Sequence, residues 1–125
     1  MDDAVRAALG HSQAVDITTT GARTGLARRI EIFLHSFDGR LYISGVPNPV
    51  RKRGWLANLE ANPAFTLYLK RPVQAELPAT ARVIRDPAER AAILARVAEA
   101  WHRSDLGMMV EHSPLIEVSV EGYSG

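Results

Sequence analysis

The sequence predicts a mainly β, α+β fold of six antiparallel strands with two to three helices. Three observations predict it. Stretches of alternating or β-branched residues recur at 14–20, 27–37, 40–44, 65–70, 73–84 and 115–120. Short turns link most of them, which favours antiparallel pairing. No strand–helix–strand repeat appears, which argues against a doubly wound parallel sheet.

Taken in order, residues 1–9 are weakly helical and read as an arm. The run AVDITTT (14–20) is β-branched and reads as a strand, and GARTG (21–25) as a tight turn with glycine at both ends. The strand at 27–37 alternates at first and then turns apolar on both faces, as a strand does on entering a core. Asp38-Gly39 is a two-residue hairpin signal leading into RLYIS (40–44). After the loop GVPNP, residues 51–60 read as a short helix with Trp55, Leu56 and Leu59 on one side, stopped by Asn62-Pro63. FTLYLK (65–70) alternates. In the next strand Pro78 demands an edge position or a bulge. Asp86-Pro87-Ala88-Glu89 is a helix start, with a capping Asp86, proline at the first helical position and Glu89 three residues after the cap. That helix runs to about residue 103 with Leu94, Val97, Ala98 and Trp101 as its buried stripe. Residues 104–113 read as a loop or short turn before the last strand, LIEVSV.

With 125 residues the chain is expected to form a single domain over 1–125. Apolar types at 46% and charged types at 23% exclude a disordered chain. The absence of cysteine excludes disulfide scaffolds and thiol chemistry, and the four histidines form no H-x-x-x-H pair, so no metal site is expected. Asp2 and Asp3 stand where a secretory leader carries positive charge, and no apolar run approaches the ~20 residues of a membrane helix. The expectation is a cytoplasmic protein without an integral membrane segment.

The net charge is only +1, which argues against nucleic acid as a partner. The charge is nevertheless uneven. Residues 21–53 hold Arg23, Arg28, Arg29, Arg40, Arg51, Lys52 and Arg53 against Glu31 and Asp38 alone. A local basic segment in a balanced chain suits a small anionic ligand; it also suits a solvated surface.

Within that segment, the turn TTGARTG carries two glycines that let backbone N–H groups approach a ligand, with Arg23, Arg28, Thr20 and Thr24 to complete an anion site. A hairpin with solvated arginines fits equally. It is not a P-loop, because no Gly-Lys-Ser/Thr follows. In the second candidate, Ser44 and Gly45 end a strand, and Lys52, Arg53 and Trp55 stand at a helix start, where free N–H groups favour anions. Trp55 could stack on a flat ring or pack in the core. Ser44 and Tyr42 are catalytic candidates, and Tyr42, Tyr68 and His112 could donate protons. All of these residues also have purely structural readings.

These motifs together resemble the deazaflavin-dependent nitroreductase family, within the flavin and deazaflavin split-barrel oxidoreductases. The resemblance is carried by Thr19-Thr20-Gly21-Ala22-Arg23-Thr24-Gly25 with Arg28, by Asp38-Gly39 leading into Leu41-Tyr42-Ile43-Ser44-Gly45, by residues Trp55 to Pro63 (WLANLEANP), and by Ser113 to Val118 (SPLIEV). It implies a split β-barrel that binds coenzyme F420, a 5-deazaflavin carrying a hydride at C5. It further implies that Arg23, Thr24, Gly25 and Arg28 hold the cofactor's phosphate and acidic tail, and that Ser44 and Gly45 lie beside its ring. Lys52, Arg53 and Trp55 would flank tail or ring, and Asn58 would brace the loop. The implied activity is hydride transfer from reduced F420 to a small organic acceptor of the nitroaromatic, quinone or activated-alkene class, with a homodimer as a possible assembly.

The chain departs from the family pattern at Ala22, where many relatives have arginine, and in the loop after Ser44. Trp101, Met108 and Met109 replace a tyrosine-rich wall, and they fit either an apolar acceptor pocket or core packing. Two alternatives stay open on the residues: an FMN-dependent split-barrel reductase, and a non-catalytic binder of an apolar or anionic small molecule such as a fatty acid.

Overall fold

A computed structural model describes residues 1–124. Its strands are β1 (Gln13–Thr20), β2 (Ala27–Phe37), β3 (Arg40–Ser44), β4 (Ala64–Leu69), β5 (Ala75–Val83) and β6 (Leu115–Val120). They close into an antiparallel barrel in the order β1-β2-β3-β6-β5-β4. Four helices accompany them: α1 (Asp3–Leu9), α2 (Gly54–Ala61), α3 (Pro87–Ala100) and α4 (Leu106–His112).

Alternation along each strand sends one set of side chains inward. In β1 these are Val15, Ile17 and Thr19, which meet Leu34, Leu41, Ile43, Leu67, Ile116 and Val118 from the other strands, all buried. The Asp38-Gly39 turn has φ of 53° and 82°, the doubly positive pair that a two-residue hairpin between twisted strands requires. Pro78 lies opposite Thr66 of β4, while the β5–β6 ladder begins only at Ala79–Val120. The proline therefore occupies a stretch of β5 that has no β6 neighbour, the edge position expected of it.

The N-terminal arm is a helix with a structural task. The Asp2 carboxylate caps it by accepting from the N–H groups of Ala4 at 2.7 Å and Val5 at 3.3 Å. Val5 and Leu9 then enter the barrel core at the end where β1 begins. At the other end, where β1 finishes, α2 inserts Leu59 and packs Trp55 and Leu56 against the same core.

α3 begins as expected, with the Asp86 carboxylate accepting from the Glu89 N–H at 2.9 Å. The segment expected as a loop or short turn at 104–113 instead contains α4. The reason is tertiary. The Arg90 side chain on α3 donates to the carbonyls of Val110 (2.9 Å), Ser113 (2.6 Å), Met109 (3.4 Å) and Ile84 (2.9 Å). This guanidinium satisfies the carbonyls that a short helix leaves open at its C-terminus. α3 and α4 then cover the outer face of the barrel through a second core of Tyr42, Ile84, Leu94, Val97, Ala98, Met109 and Leu115.

His35 is fully buried at the margin of that layer, and both of its ring nitrogens lack hydrogen-bond partners. The rings of Phe33, Phe37 and Trp101 surround it at 5.0, 5.4 and 5.0 Å. Burial pushes its imidazole down from 6.5 to about 4. The folded state thus binds this proton less well than the unfolded chain. The corresponding stability is complete above pH 6.5 and is lost as pH falls towards about 4. Its size is on the order of 3 kcal/mol.

Two outcomes follow. Leu9→Ala should lower unfolding free energy by about 2–5 kcal/mol in a denaturant titration, because it opens a cavity in the barrel end; a change within error would show that α1 is dispensable. His35→Phe should flatten the pH dependence of unfolding free energy between pH 6.5 and about 4, while the acid loss from paired carboxylates at lower pH persists.

Candidate functional site

Two concavities flank the N-terminus of α2. The larger, about 750 Å³, is lined by the β1–β2 turn with Arg23 and Thr24, by Leu26 and Arg28, and by Gly54, Trp55 and Asn58 of α2. The smaller, about 390 Å³, lies on the other side of the helix start. Its walls include Arg51, Lys52, Arg53, Leu56, His112 and Ser113. A third hollow of about 550 Å³ is lined by Arg29, Tyr68 and Lys70, among others.

The turn that borders the larger cleft is held from two sides. The Gly21 N–H donates to the Leu26 carbonyl at 2.8 Å, and the Gly25 N–H to the Gly21 carbonyl at 2.9 Å. Gly25 has φ of 69°, which asks for glycine even though space for a side chain is open there. From α2, Asn58 Nδ2 donates to Thr19 Oγ1 at 3.0 Å and Asn58 Oδ1 accepts from the Ala22 N–H at 2.9 Å. One amide side chain thus spans helix, strand and turn and fixes the cleft's width.

α2 lacks any capping side chain; its N-cap residue is Arg53, which has no acceptor to offer. The first-turn N–H groups remain available, and their partial positive charge is reinforced by nearby cations. The Asn48 carboxamide accepts from the Val50 and Arg51 N–H groups at 3.1 and 3.2 Å, so the preceding loop turns before the helix begins at Gly54 rather than at residue 51. The Arg53 guanidinium lies against Gly45. A Cβ there would sit 2.9 Å from Arg53 Cζ, so a larger residue would displace the guanidinium from this position. Burial lowers the proton affinity of Arg53, and no carboxylate compensates this loss of hydration.

The ion pairs sort the basic segment. Arg29 pairs with Asp16, Arg40 with Glu117, and Lys52 with Glu60 at 2.8 Å. Glu60 also holds Arg85, and the Lys52 hydrogen bond leads in keeping its carboxyl below the usual range. Among the described residues, Arg23, Arg28, Arg51 and Arg53 form no ion pair. All four line one of the two concavities around α2.

The structure therefore brings Arg23, Thr24, Arg28 and Trp55 to the larger cleft, with Gly25 in its bordering turn. It brings Lys52 and Arg53 to the smaller cavity, with Gly45 beneath Arg53. It does not bring the two catalytic candidates there. Ser44 is buried and its hydroxyl donates to the Pro114 carbonyl at 2.7 Å. Tyr42 is buried in the second core, where burial leads in raising its phenol. Tyr68 lies under Arg29, whose Cζ is 3.7 Å from its ring centroid. Of the apolar trio, Met109 is buried in the second core and Trp101 packs against it and on His35, while Met108 is exposed. Ser113, part of the SPLIEV match but given no site role in the sequence, stands in the smaller cavity's wall with a buried hydroxyl that has no partner.

Residues 4–121 match the model of the F420H(2)-dependent quinone reductase family. The chain belongs to that family. It is an F420-dependent oxidoreductase with the split-barrel fold. Among solved structures it is similar to an F420 reductase (TM-score 0.73, 14% identity, 99% of this chain and 98% of that chain). It also resembles an F420-H2 dependent reductase (0.61, 23%, 85% and 93%) and a FAD-binding protein from Mesorhizobium loti (0.62, 12%, 99% and 93%). At these identities the similarity is one of fold. No curated protein matches the chain. Among the described residues no helix is long and apolar enough to cross a membrane, and no cluster of metal-binding side chains occurs.

The residues suit the family's cofactor. F420 is anionic at its phosphodiester and glutamate tail, and the unpaired arginines beside an uncapped helix form a complementary donor set. Asn58→Ala should remove both struts of the turn. Amide exchange at Ala22 should accelerate, and stability should fall by about 1–3 kcal/mol; unchanged exchange at Ala22 would refute the bracing role.

Proposed function

We propose that the chain binds reduced F420 along the N-terminus of α2 and transfers its hydride to a small planar acceptor of the quinone class. The observation that carries this is the group of four arginines without carboxylate partners, gathered on the two concavities at a helix start that no side chain caps. Arg23 and Arg28, with Thr24 and Gly25, take the cofactor's phosphate and acidic tail in the larger cleft. Trp55 offers a flat face at the same cleft, and Arg53, resting on Gly45, supplies positive charge in the smaller cavity on the other side of the helix start. When bound, F420 supplies a hydride at the C5 position of its deazaflavin ring. The chain's own contribution is to bind the charged arm, hold the ring against the acceptor and exclude water.

Two points favour this over a fatty-acid carrier. The barrel interior is filled by side chains from every strand, and the two concavities at α2 are lined by guanidinium groups. FMN remains the cofactor to test in parallel, since its phosphate would answer to the same guanidinium groups.

Titration of the protein with F420, followed by quenching of cofactor fluorescence, should give saturable binding, tighter than FMN in the same buffer. Arg23→Ala and Arg28→Ala should each weaken F420 by about 10-fold or more and reduce the salt dependence of what remains. Wild-type affinity in both variants would end their assignment; preference for FMN would reassign the cofactor site.

A further inference from the structure

Hydride transfer to a quinone-class acceptor leaves a negative charge on oxygen unless a proton arrives as well. The smaller cavity contains one side chain suited to deliver it. We propose that His112 is the proton donor for the acceptor, and that the smaller cavity is where the acceptor sits. This rests on the F420 reading above and deepens it.

Among the groups that face this cavity, His112 alone is free to give up a proton. Glu60 is held ionised by Lys52 and Arg85, so it accepts and does not donate. Lys52 is committed to that pair. Arg51, Arg53, Arg85 and Arg90 are guanidinium groups, which keep their protons at any working pH. Ser113 has a hydroxyl without a hydrogen-bond partner, suited to donate a hydrogen bond to an acceptor oxygen but too weak an acid to give up its proton. Glu111 is three-quarters exposed. Histidine is the side-chain type that exchanges protons near neutrality. Of the other two proton donors expected from the sequence, Tyr42 lies in the second core and Tyr68 beside Arg29. Neither faces either concavity at α2.

The placement of His112 suits the task. It is the last residue of α4, whose C-terminal carbonyls are gathered by Arg90. Its own carbonyl accepts from the Asn48 N–H at 3.3 Å, tying the helix end to the loop that forms the opposite wall. The backbone is thus fixed while the ring is partly exposed. Its Nε2 stands 3.5 Å from the Glu111 carboxylate, which reaches into solvent.

The acceptor gains a hydride, with its electron pair, from C5 of the reduced cofactor. The acceptor oxygen gains a proton from the imidazolium of His112, which becomes neutral imidazole. Solvent returns that proton past Glu111, and the oxidised cofactor releases its ring N–H proton to solvent. The acceptor is reduced by two electrons and the cofactor is oxidised by two.

Three measurements test this, with menadione as the quinone. In the cofactor-free protein, the ring signals of His112 in a histidine-labelled NMR spectrum should shift saturably as menadione is added. In the loaded enzyme, His112→Gln should keep F420 affinity within about twofold while kcat falls by about 100-fold or more. His112→Ala should regain turnover when free imidazole is supplied, which a merely structural residue would not allow. Unshifted His112 signals would overturn the acceptor site. Normal F420 binding with wild-type turnover in His112→Gln would overturn the proton-donor role alone. Failure of the wild type to bind F420 would overturn the parent reading and the proton-donor step with it.

Discussion

Uncompensated positive charge at the start of α2 is the constraint to which the rest of the basic end conforms. Most cations of this chain are neutralised close by: Arg29 and Lys70 on Asp16, Arg82 on Glu89 and Glu117, Arg96 on Asp38, and Arg103 on Asp105. Among the described residues Arg6, Arg71 and Arg90 form no ion pair either, but Arg23, Arg28, Arg51 and Arg53 are the ones left without a carboxylate or carbonyl partner on the concavities around α2. An arginine at the N-cap of a helix is doubly unfavourable, since it meets the positive end of the helix dipole and cannot accept from the open N–H groups. Each surface charge left unpaired costs little by itself. Four on the concavities around one uncapped helix start make a standing field for an anion. The loss of hydration at Arg53 is the strongest part of it, because a bound phosphate or carboxylate would replace what water no longer provides.

Such a field is useful only if the groups that make it are held at fixed separation, and here neutral parts do the holding. Asn58 ties α2 to β1 and to the β1–β2 turn through one donor and one acceptor, with no charge that could compete with a ligand. Gly45 lets Arg53 lie flat on the backbone after β3. On the far side, Arg90 spends its guanidinium on four carbonyls and so serves as scaffold rather than as ligand-binding cation. The same residue type plays opposite parts on the two sides of one cavity. The partners already present decide which part each arginine plays.

That distinction marks what could be read from the residues. The strands were legible because inward and outward positions alternate, and the ends of β2, β3 and β6 coincide with the hairpin and proline signals around them. The N-terminus of α3 was legible because its cap is local. α4 was not: its only fully buried residue is Met109, it has no capping side chain, and its carbonyls are satisfied by a residue on α3. The sequence pattern starts α2 three residues early because the Asn48 turn consumes those residues. At the site, basic residues and glycines could be seen in the sequence. Whether each arginine would be paired could not, because pairing depends on which carboxylate folding brings near. Ser44 looked available for the same reason. Its partner is the carbonyl of Pro114, seventy residues away.

His35 shows how two demands on the same strand are reconciled. The inner face of β2 supplies Leu34 to the barrel core, and the outer face presents Phe33, His35 and Phe37 to the layer built by α3 and α4. A polar ring there, without acceptor or donor, costs free energy that an apolar residue would not. The surrounding aromatic rings offer it only edges and faces, which interact weakly with a neutral imidazole and stabilise it against protonation by keeping water out. The basic end of the barrel is built on the contrary principle. There charge is kept, hydration is partly removed, and the missing partner is left for a ligand to provide. One histidine is silenced by being enclosed in rings; the other, His112, stands at a cavity wall within reach of a solvated carboxylate. Environment, not residue type, separates the structural imidazole from the one available for proton transfer.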